Sequence, residues 1–315
     1  MRAVELFAGC GGMALGFERA GFRHELLVDN DKWAAASLRR NRPAWNVKRM
    51  DVRDLRRDEM ENLDLISGGP PCQPFSNASV HRRGPGDRRD MMTETVELIR
   101  EAQPKSFVLE NVPALKHSHG RYYDILITLL SEAGYLVSSH EVNCADYGVA
   151  QTRMRLFMIG FRRDIGGCFN FPLPSRQPEE YRTVEQALEG LWPPDTGMPN
   201  HNTPSEGVIQ RKNRYFPKIF RRMNTPDAPA KTIMGRRAQW NNYLKYGNDP
   251  KNSRYRYLTD RECMRLQGFP DDWVVEGGIT ACVRQVGNAL PPPVAVVIGL
   301  GVIEHIKQYE RNNHA

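Results

Sequence analysis

Cys72 lies in the run Gly68-Gly69-Pro70-Pro71-Cys72-Gln73-Pro74-Phe75-Ser76, directly after an apolar stretch ending at Ile66. On composition alone a single cysteine reads as a small buried hydrophobe. Here prolines on both sides fix φ and remove amide donors, which would hold the thiol rigidly at the carboxyl end of a strand, where open α/β sheets place their sites. That frame suits a nucleophile. A carboxylate, Glu110, closes the apolar run of Phe107-Val108-Leu109-Glu110-Asn111-Val112-Pro113 and is expected near Cys72, the alternative being a turn or helix cap. Two cations, Arg153 and Arg155 in Gln151-Thr152-Arg153-Met154-Arg155, lead into another apolar run and are expected to point to one face, as a functional pair or as a solvated basic edge.

A second constellation starts at the N-terminus. Phe7-Ala8-Gly9-Cys10-Gly11-Gly12 follows a short apolar run and precedes helical spacing, so its glycines let the backbone approach a ligand. Asp29, at the end of the next apolar run, is placed to bind ribose hydroxyls. Gly9, Gly11 and Ala14 also satisfy a loose dinucleotide fingerprint, which leaves an NAD-linked oxidoreductase as a rival, and a turn without a ligand as a third reading.

The elements that must position these residues alternate. Strands are expected at Val4–Phe7, Leu26–Val28, Leu63–Ile66, Ser106–Leu109 and Leu156–Phe161, with helices at Met13–Ala20, Thr93–Ala102 and Tyr122–Ala133. This order predicts an α/β fold with a doubly wound, mostly parallel sheet. From Phe171 the sequence becomes rich in Pro, Arg and Asn until a helical pattern resumes at Leu258. Two domains are expected: 1–171 plus 275–315 around the sheet, and an inserted 172–274. The final segment, from Gln285, is expected to open with a Gly-Asn turn and three prolines before an apolar helix.

The totals bound the partners. Net charge is +7, and residues 211–256 alone hold 13 Lys and Arg against Asp227 and Asp249, so the basic charge belongs to one segment and suggests a polyanion. Six cysteines without a Cys-x-x-Cys pair predict neither a disulfide framework nor a metal site. The apolar run Val294–Ile303 is about half a membrane span, so no membrane contact and a cytoplasmic location are expected.

In order along the chain, the glycine turn, Asp29, Asp51, the proline-framed cysteine, Glu-Asn-Val, Gln-Thr-Arg-Met-Arg, Leu258–Trp273 and Gln285-Val286-Gly287-Asn288-Ala289-Leu290-Pro291-Pro292 resemble the DNA cytosine-5 methyltransferase family, particularly its bacterial modification enzymes. The resemblance implies the S-adenosylmethionine-dependent methyltransferase fold with a target-recognition domain at 172–274. It implies S-adenosylmethionine held by Phe7, Ala8, Gly9, Gly11, Gly12, Asp29, Asn30, Asp51, Val52, Pro70, Asn288 and Ala289. Asn30 departs from relatives that carry a large side chain there to pack on adenine. Cys72 would attack cytosine carbon 6, Glu110 would bind the ring's N3 and amino group, Arg155 its O2, and Arg153 the same pocket.

Double-stranded DNA is the implied partner, with a cognate restriction endonuclease acting separately and the enzyme working as a monomer. A flipped-out base must be compensated. The arginine-rich stretch from Ser76 to Asp90, with Ser76, Arg82, Arg83 and Arg88, reads as a lid over DNA. Thr232, in the family's threonine-containing turn, and Arg236 and Arg237 fall in the basic segment expected to contact DNA. A methyltransferase acting on structured RNA and a non-catalytic binding protein of the same fold stay open at this level.

Overall fold

The computed structural model describes residues 1–71, 90–191, 197–201, 220–235, 242–246 and 254–313. Among these the chain forms β1 (Arg2–Leu6), α1 (Gly12–Ala20), β2 (Arg23–Asp29), α2 (Lys32–Asn41), β3 (Val47–Arg49), β4 (Leu65–Gly68), α3 (Met91–Ala102), β5 (Ser106–Asn111), α4 (Ala114–His117), α5 (Gly120–Glu132) and β6 (Tyr135–Asn143). It continues through β7 (Gln151–Thr152), β8 (Met154–Arg162), α6 (Val184–Leu188), β9 (Ala230–Lys231), β10 (Tyr243–Tyr246), β11 (Arg254–Tyr257), α7 (Asp260–Leu266), α8 (Ile279–Asn288) and α9 (Pro292–Asn313).

Seven strands make one sheet in the order β3-β2-β1-β4-β5-β8-β6, in which β8 alone runs against its neighbours. The mostly parallel, doubly wound sheet expected from the alternating pattern is present. Side chains alternate between faces with a period of two. Val4, Leu6, Ile66, Phe107, Leu109 and Met158 pack into one core layer, whereas Ala3, Leu65, Val108, Phe157 and Ile159 pack into the other. Covering both faces explains why these strands read as continuous apolar runs.

Two expectations change. β6 went unread because its middle, Val137-Ser138-Ser139-His140-Glu141, lacks an apolar pattern; it is a half-buried edge strand fixed by pairing with β8 along its whole length. Gly287-Asn288 is not a turn but the last turn of α8. The apolar window in the C-terminal helices is long enough to span a bilayer by composition, yet 61% of it is buried inside the protein, largely in the layer shared with Phe17 and Val108.

A third cluster joins Cys10 of the glycine turn and Leu15 of α1 to Ala150, Ala230, Ile233, Leu258, Met264, Trp273 and Val286. Residues from 172–274 therefore share a core with those on either side.

The α1–α9 contact depends on a missing side chain. A Cβ on Gly16 would lie 2.3 Å from Ala295 Cβ and 2.6 Å from the Pro292 carbonyl oxygen. Gly16→Ala should lower the unfolding free energy by roughly 1–2 kcal/mol, overpacking outweighing the better helix propensity of alanine. Urea denaturation measures it; an unchanged or raised midpoint would contradict this packing.

Candidate active site

β1, β4 and β5 pair in parallel register, Leu6 beside Gly68 and Gly68 beside Leu109, so the loops that follow them emerge side by side at one sheet edge. The glycine turn, the Gly69-Pro70-Pro71 segment and Glu110-Asn111 are thereby neighbours. Asn111 Nδ2 donates to the Pro70 carbonyl at 3.1 Å, and a Cβ on Gly69 would lie 3.0 Å from Glu110 Oε2. The described residues break off after Pro71, one residue before Cys72, and resume at Asp90. Cys72, Ser76, Arg82, Arg83 and Arg88 lie outside the described residues, as do Arg236 and Arg237.

Glu110 Oε1 is 2.5 Å from Arg155 Nε, and the two side chains are 12% and 11% exposed. Partial burial makes this pair stronger than a surface ion pair and fixes both head groups. Arg153 behaves differently. It is fully buried, donates from Nη1 to the Ile233 carbonyl at 3.2 Å and from Nη2 to the Gly287 carbonyl at 2.9 Å, and burial together with nearby Arg155 lowers its pKa. The two arginines are close, but only Arg155 joins the carboxylate.

Beside this pair lies a cavity of about 310 Å³, within the range of small-molecule sites. Phe7, Ala8, Gly9, Gly12, Asp29, Asn30, Asn288 and Ala289 line it, together with Glu5, Asp31, Glu110 and Arg284. Phe7 is held at φ 55° and Gly9 at φ 54°. A left-handed conformation costs a non-glycine residue about 1–3 kcal/mol, and such strain concentrates at ligand sites. The turn is held by Asp29, whose Oδ2 accepts Gly9 N–H at 2.8 Å and whose Oδ1 accepts Asp31 N–H at 2.8 Å. Burial raises the Asp29 pKa, and those two amides and Arg284 partly offset it. Each carboxylate oxygen keeps a lone pair for another donor.

Other expected residues fall elsewhere. Asp51 lies outside the cavity lining; it caps a short turn and forms an ion pair with Arg53 at 2.6 Å. Val52 is in the core, and Pro70 contributes its carbonyl to Asn111. Gly11 packs where a Cβ would lie 2.9 Å from Trp273 Cζ2. The Thr232 hydroxyl donates to the Thr152 carbonyl at 2.9 Å.

Glu5 escaped the sequence reading, although a carboxylate inside an apolar strand was its signal. It is 2% exposed, lines the cavity, and among the described residues its Oε2 has no hydrogen-bond partner. Burial pushes its pKa well above the carboxylate range, against a backbone hydrogen bond from Ala14. Trp273 was also missed as a site element; its indole N–H donates to the Cys10 carbonyl at 2.9 Å, bracing the glycine turn from below.

The family model for C-5 cytosine-specific DNA methylase matches residues 1–304. The chain belongs to that family. It is a DNA (cytosine-5-)-methyltransferase of the restriction-modification type. This methylase is 34% identical to the Type II methyltransferase M.NgoMIV of Neisseria gonorrhoeae over 97% of its own length and 98% of the relative's. It is 35% identical to M.PspPI of Psychrobacter, covering 95% and 78% of the two chains. Its fold matches a putative DNA modification methyltransferase of an E. coli prophage, at 24% identity, TM-score 0.73 and coverage of 98% and 99%. It also matches the S. pombe Dnmt2 methyltransferase, at 19% identity, TM-score 0.75 and coverage of 96% and 99%.

Glu5 supplies a pH prediction with a definite sign. Its carboxyl keeps a proton in the folded methylase that the unfolded chain releases above about pH 4.3, so stability falls as pH rises through the window up to the raised pKa. Glu5→Gln removes this loss: as the pH rises above about 4.3, its stability should increase relative to that of the wild type. Parallel denaturation curves for the two proteins across that range would contradict the assignment.

Proposed function

We propose that the methylase transfers the methyl group of S-adenosylmethionine to carbon 5 of a cytosine flipped out of a short recognised sequence in double-stranded DNA, with Cys72 as the nucleophile. The observation that carries this reading is the Glu110–Arg155 pair, held beside Gly69 and open to the cavity of the glycine turn.

The cavity's charge fits that donor. Glu5, Asp29, Asp31 and Glu110 face one guanidinium, Arg284, which also pairs with Asp31. With Asp31 paired to Arg284, Glu110 to Arg155 and Glu5 protonated, the Asp29 carboxylate is the charge left for a ligand bearing a sulfonium and an ammonium, and it opposes the diphosphate of a nicotinamide dinucleotide. Asp29 is placed for ribose hydroxyls, Asn288 for the methionine end, and the orphan oxygen of Glu5 for the ammonium. When bound, S-adenosylmethionine supplies an electrophilic methyl group.

The residues supply the rest. Carbon 5 of cytosine is a poor nucleophile until a thiolate adds to carbon 6 and pushes electrons into the ring. Glu110 binds N3 and the amino group, where charge builds up, and Arg155 binds O2 while holding Glu110 in place. After methylation, loss of the carbon 5 proton lets the Cys72 thiolate leave and restores the aromatic ring.

The other described cysteines support the choice of Cys72. Burial pushes Cys10 up to about 12 and Cys144 and Cys282 up to about 11, and Cys263 is raised well above its ordinary value. The exposed Cys168 follows the end of β8, which lies at the opposite sheet edge because Phe161 pairs with Ser106. Flipping costs a few kcal/mol, which the arginine-rich stretch 76–90 and the basic segment 211–256 would offset through phosphate contacts. Action as a monomer in the cytoplasm, with a separate endonuclease as companion, completes the reading.

Base-resolution conversion sequencing of unmethylated DNA, after incubation with the protein and S-adenosylmethionine, tests it. Protected cytosines should fall in one short sequence, and Cys72→Ser should abolish protection while leaving DNA binding intact. Complete conversion by the wild type would redirect the search to RNA, and unchanged protection by Cys72→Ser would sink the nucleophile assignment.

A further inference from the structure

Arg153 is fully buried, and among the described residues it makes no ion pair and its Nε has no partner. A cation taken out of water without a carboxylate is costly unless its surroundings are held in place. What holds it are carbonyls from two remote segments, Ile233 and Gly287. Ile233 ends the turn at 230–233, which leads into Arg236 and Arg237. Gly287 precedes Asn288, which lines the cofactor cavity.

The same turn is strapped to the chain around Arg153. Ala230 N–H donates to the Ala150 carbonyl at 2.9 Å, the Thr232 hydroxyl to the Thr152 carbonyl at 2.9 Å, and Ile233 N–H to Gln151 Oε1 at 3.1 Å. On the other side the turn presses on α8. A Cβ on Gly287 would lie 2.2 Å from Gly235 N, and one on Gly235 would lie 2.8 Å from Asn288 Oδ1. Arg155, two residues along, pairs with Glu110. One guanidinium thus joins residues 230–233, inside the basic segment, to the helix end at the cofactor cavity, from a position two residues before Arg155.

We propose that Arg153 is a positioning residue rather than a contact to the target base, and that it makes DNA engagement and cofactor binding depend on each other. The proposal rests on the reading of the site given above. If DNA shifts the turn, the Ile233 carbonyl moves; the guanidinium must keep both carbonyls or be left with an unmet donor, so Gly287 and Asn288 respond. Reciprocity then requires each ligand to tighten the other by the same factor.

The test is the dissociation constant of S-adenosylhomocysteine, measured by calorimetry with and without saturating duplex DNA that carries the sequence found by conversion sequencing. For the wild type, DNA should tighten it about tenfold. Arg153→Met replaces the cation by an apolar chain and should still bind each ligand alone, with the factor falling towards one. Arg155→Met should keep the factor while losing methyl transfer. Arg153→Lys, which can hold one carbonyl, should give an intermediate factor and decides the matter if the Met variant does not fold. A full factor in Arg153→Met, or in Arg153→Lys when only that variant folds, would overturn the proposal, as would no factor in the wild type. A wild type that binds neither ligand would instead refute the underlying reading of the site, and the proposal with it.

Discussion

Parallel pairing of β1, β4 and β5 is the constraint on which the site depends. With Leu6 beside Gly68 and Gly68 beside Leu109, three loops leave the sheet at one level, and each delivers a different chemical part. Because side chains alternate with a period of two, a slip of one residue in β5 would send Glu110 to the opposite face and exchange the core layers of Phe107 and Val108. The buried layers on both faces therefore fix the register, and the register fixes the chemistry. Asn111 adds a side-chain bond across the gap to Pro70, tying the segment before Cys72 to the strand that carries Glu110.

The electrostatics of the site run against stability and in favour of binding. Glu5 is buried and Asp29 half-buried, desolvation raises the pKa of both, and Phe7 keeps an unfavourable backbone conformation next to them. A chain selected for stability alone would place apolar groups there. Acidic groups gathered around a cavity of this size instead favour a cationic ligand. Arg155 pairs with Glu110 and Arg284 with Asp31, which leaves Glu5 and Asp29 available to a ligand.

Much of this was legible in the sequence because the informative residues are punctuation: glycines and prolines at strand ends, and single carboxylates that close apolar runs. The sheet's central strands, the glycine turn, Asp29 and Glu110 were located in this way, whereas Arg155 was singled out by the family resemblance of Gln-Thr-Arg-Met-Arg. β6 was not, since its stability comes from β8 and not from a pattern of its own. Glu5 was overlooked as a site residue because its signal, a carboxylate within an apolar strand, marks it as unusual without disclosing that it faces a cavity. Arg153 and Arg155 look equivalent in Gln-Thr-Arg-Met-Arg, yet Arg153 binds carbonyls more than 70 residues away, Ile233 and Gly287, while Arg155 pairs with Glu110, a difference that spacing along the chain cannot disclose. The role of Trp273 likewise depends on a bond to Cys10, 263 residues distant.

The central claim, covalent attack by Cys72 on a cytosine ring, is tested most directly by duplex DNA in which cytosine is replaced by 5-fluorocytosine. Fluorine at carbon 5 cannot leave as a proton does, so after methylation the thiolate cannot be expelled and the adduct persists. Intact and peptide mass spectrometry, after incubation with S-adenosylmethionine and denaturation, should find a methylated 5-fluorocytosine nucleotide bonded to the peptide containing Cys72. A methylated ordinary duplex with no trapped complex, or an adduct on another residue, would contradict the account.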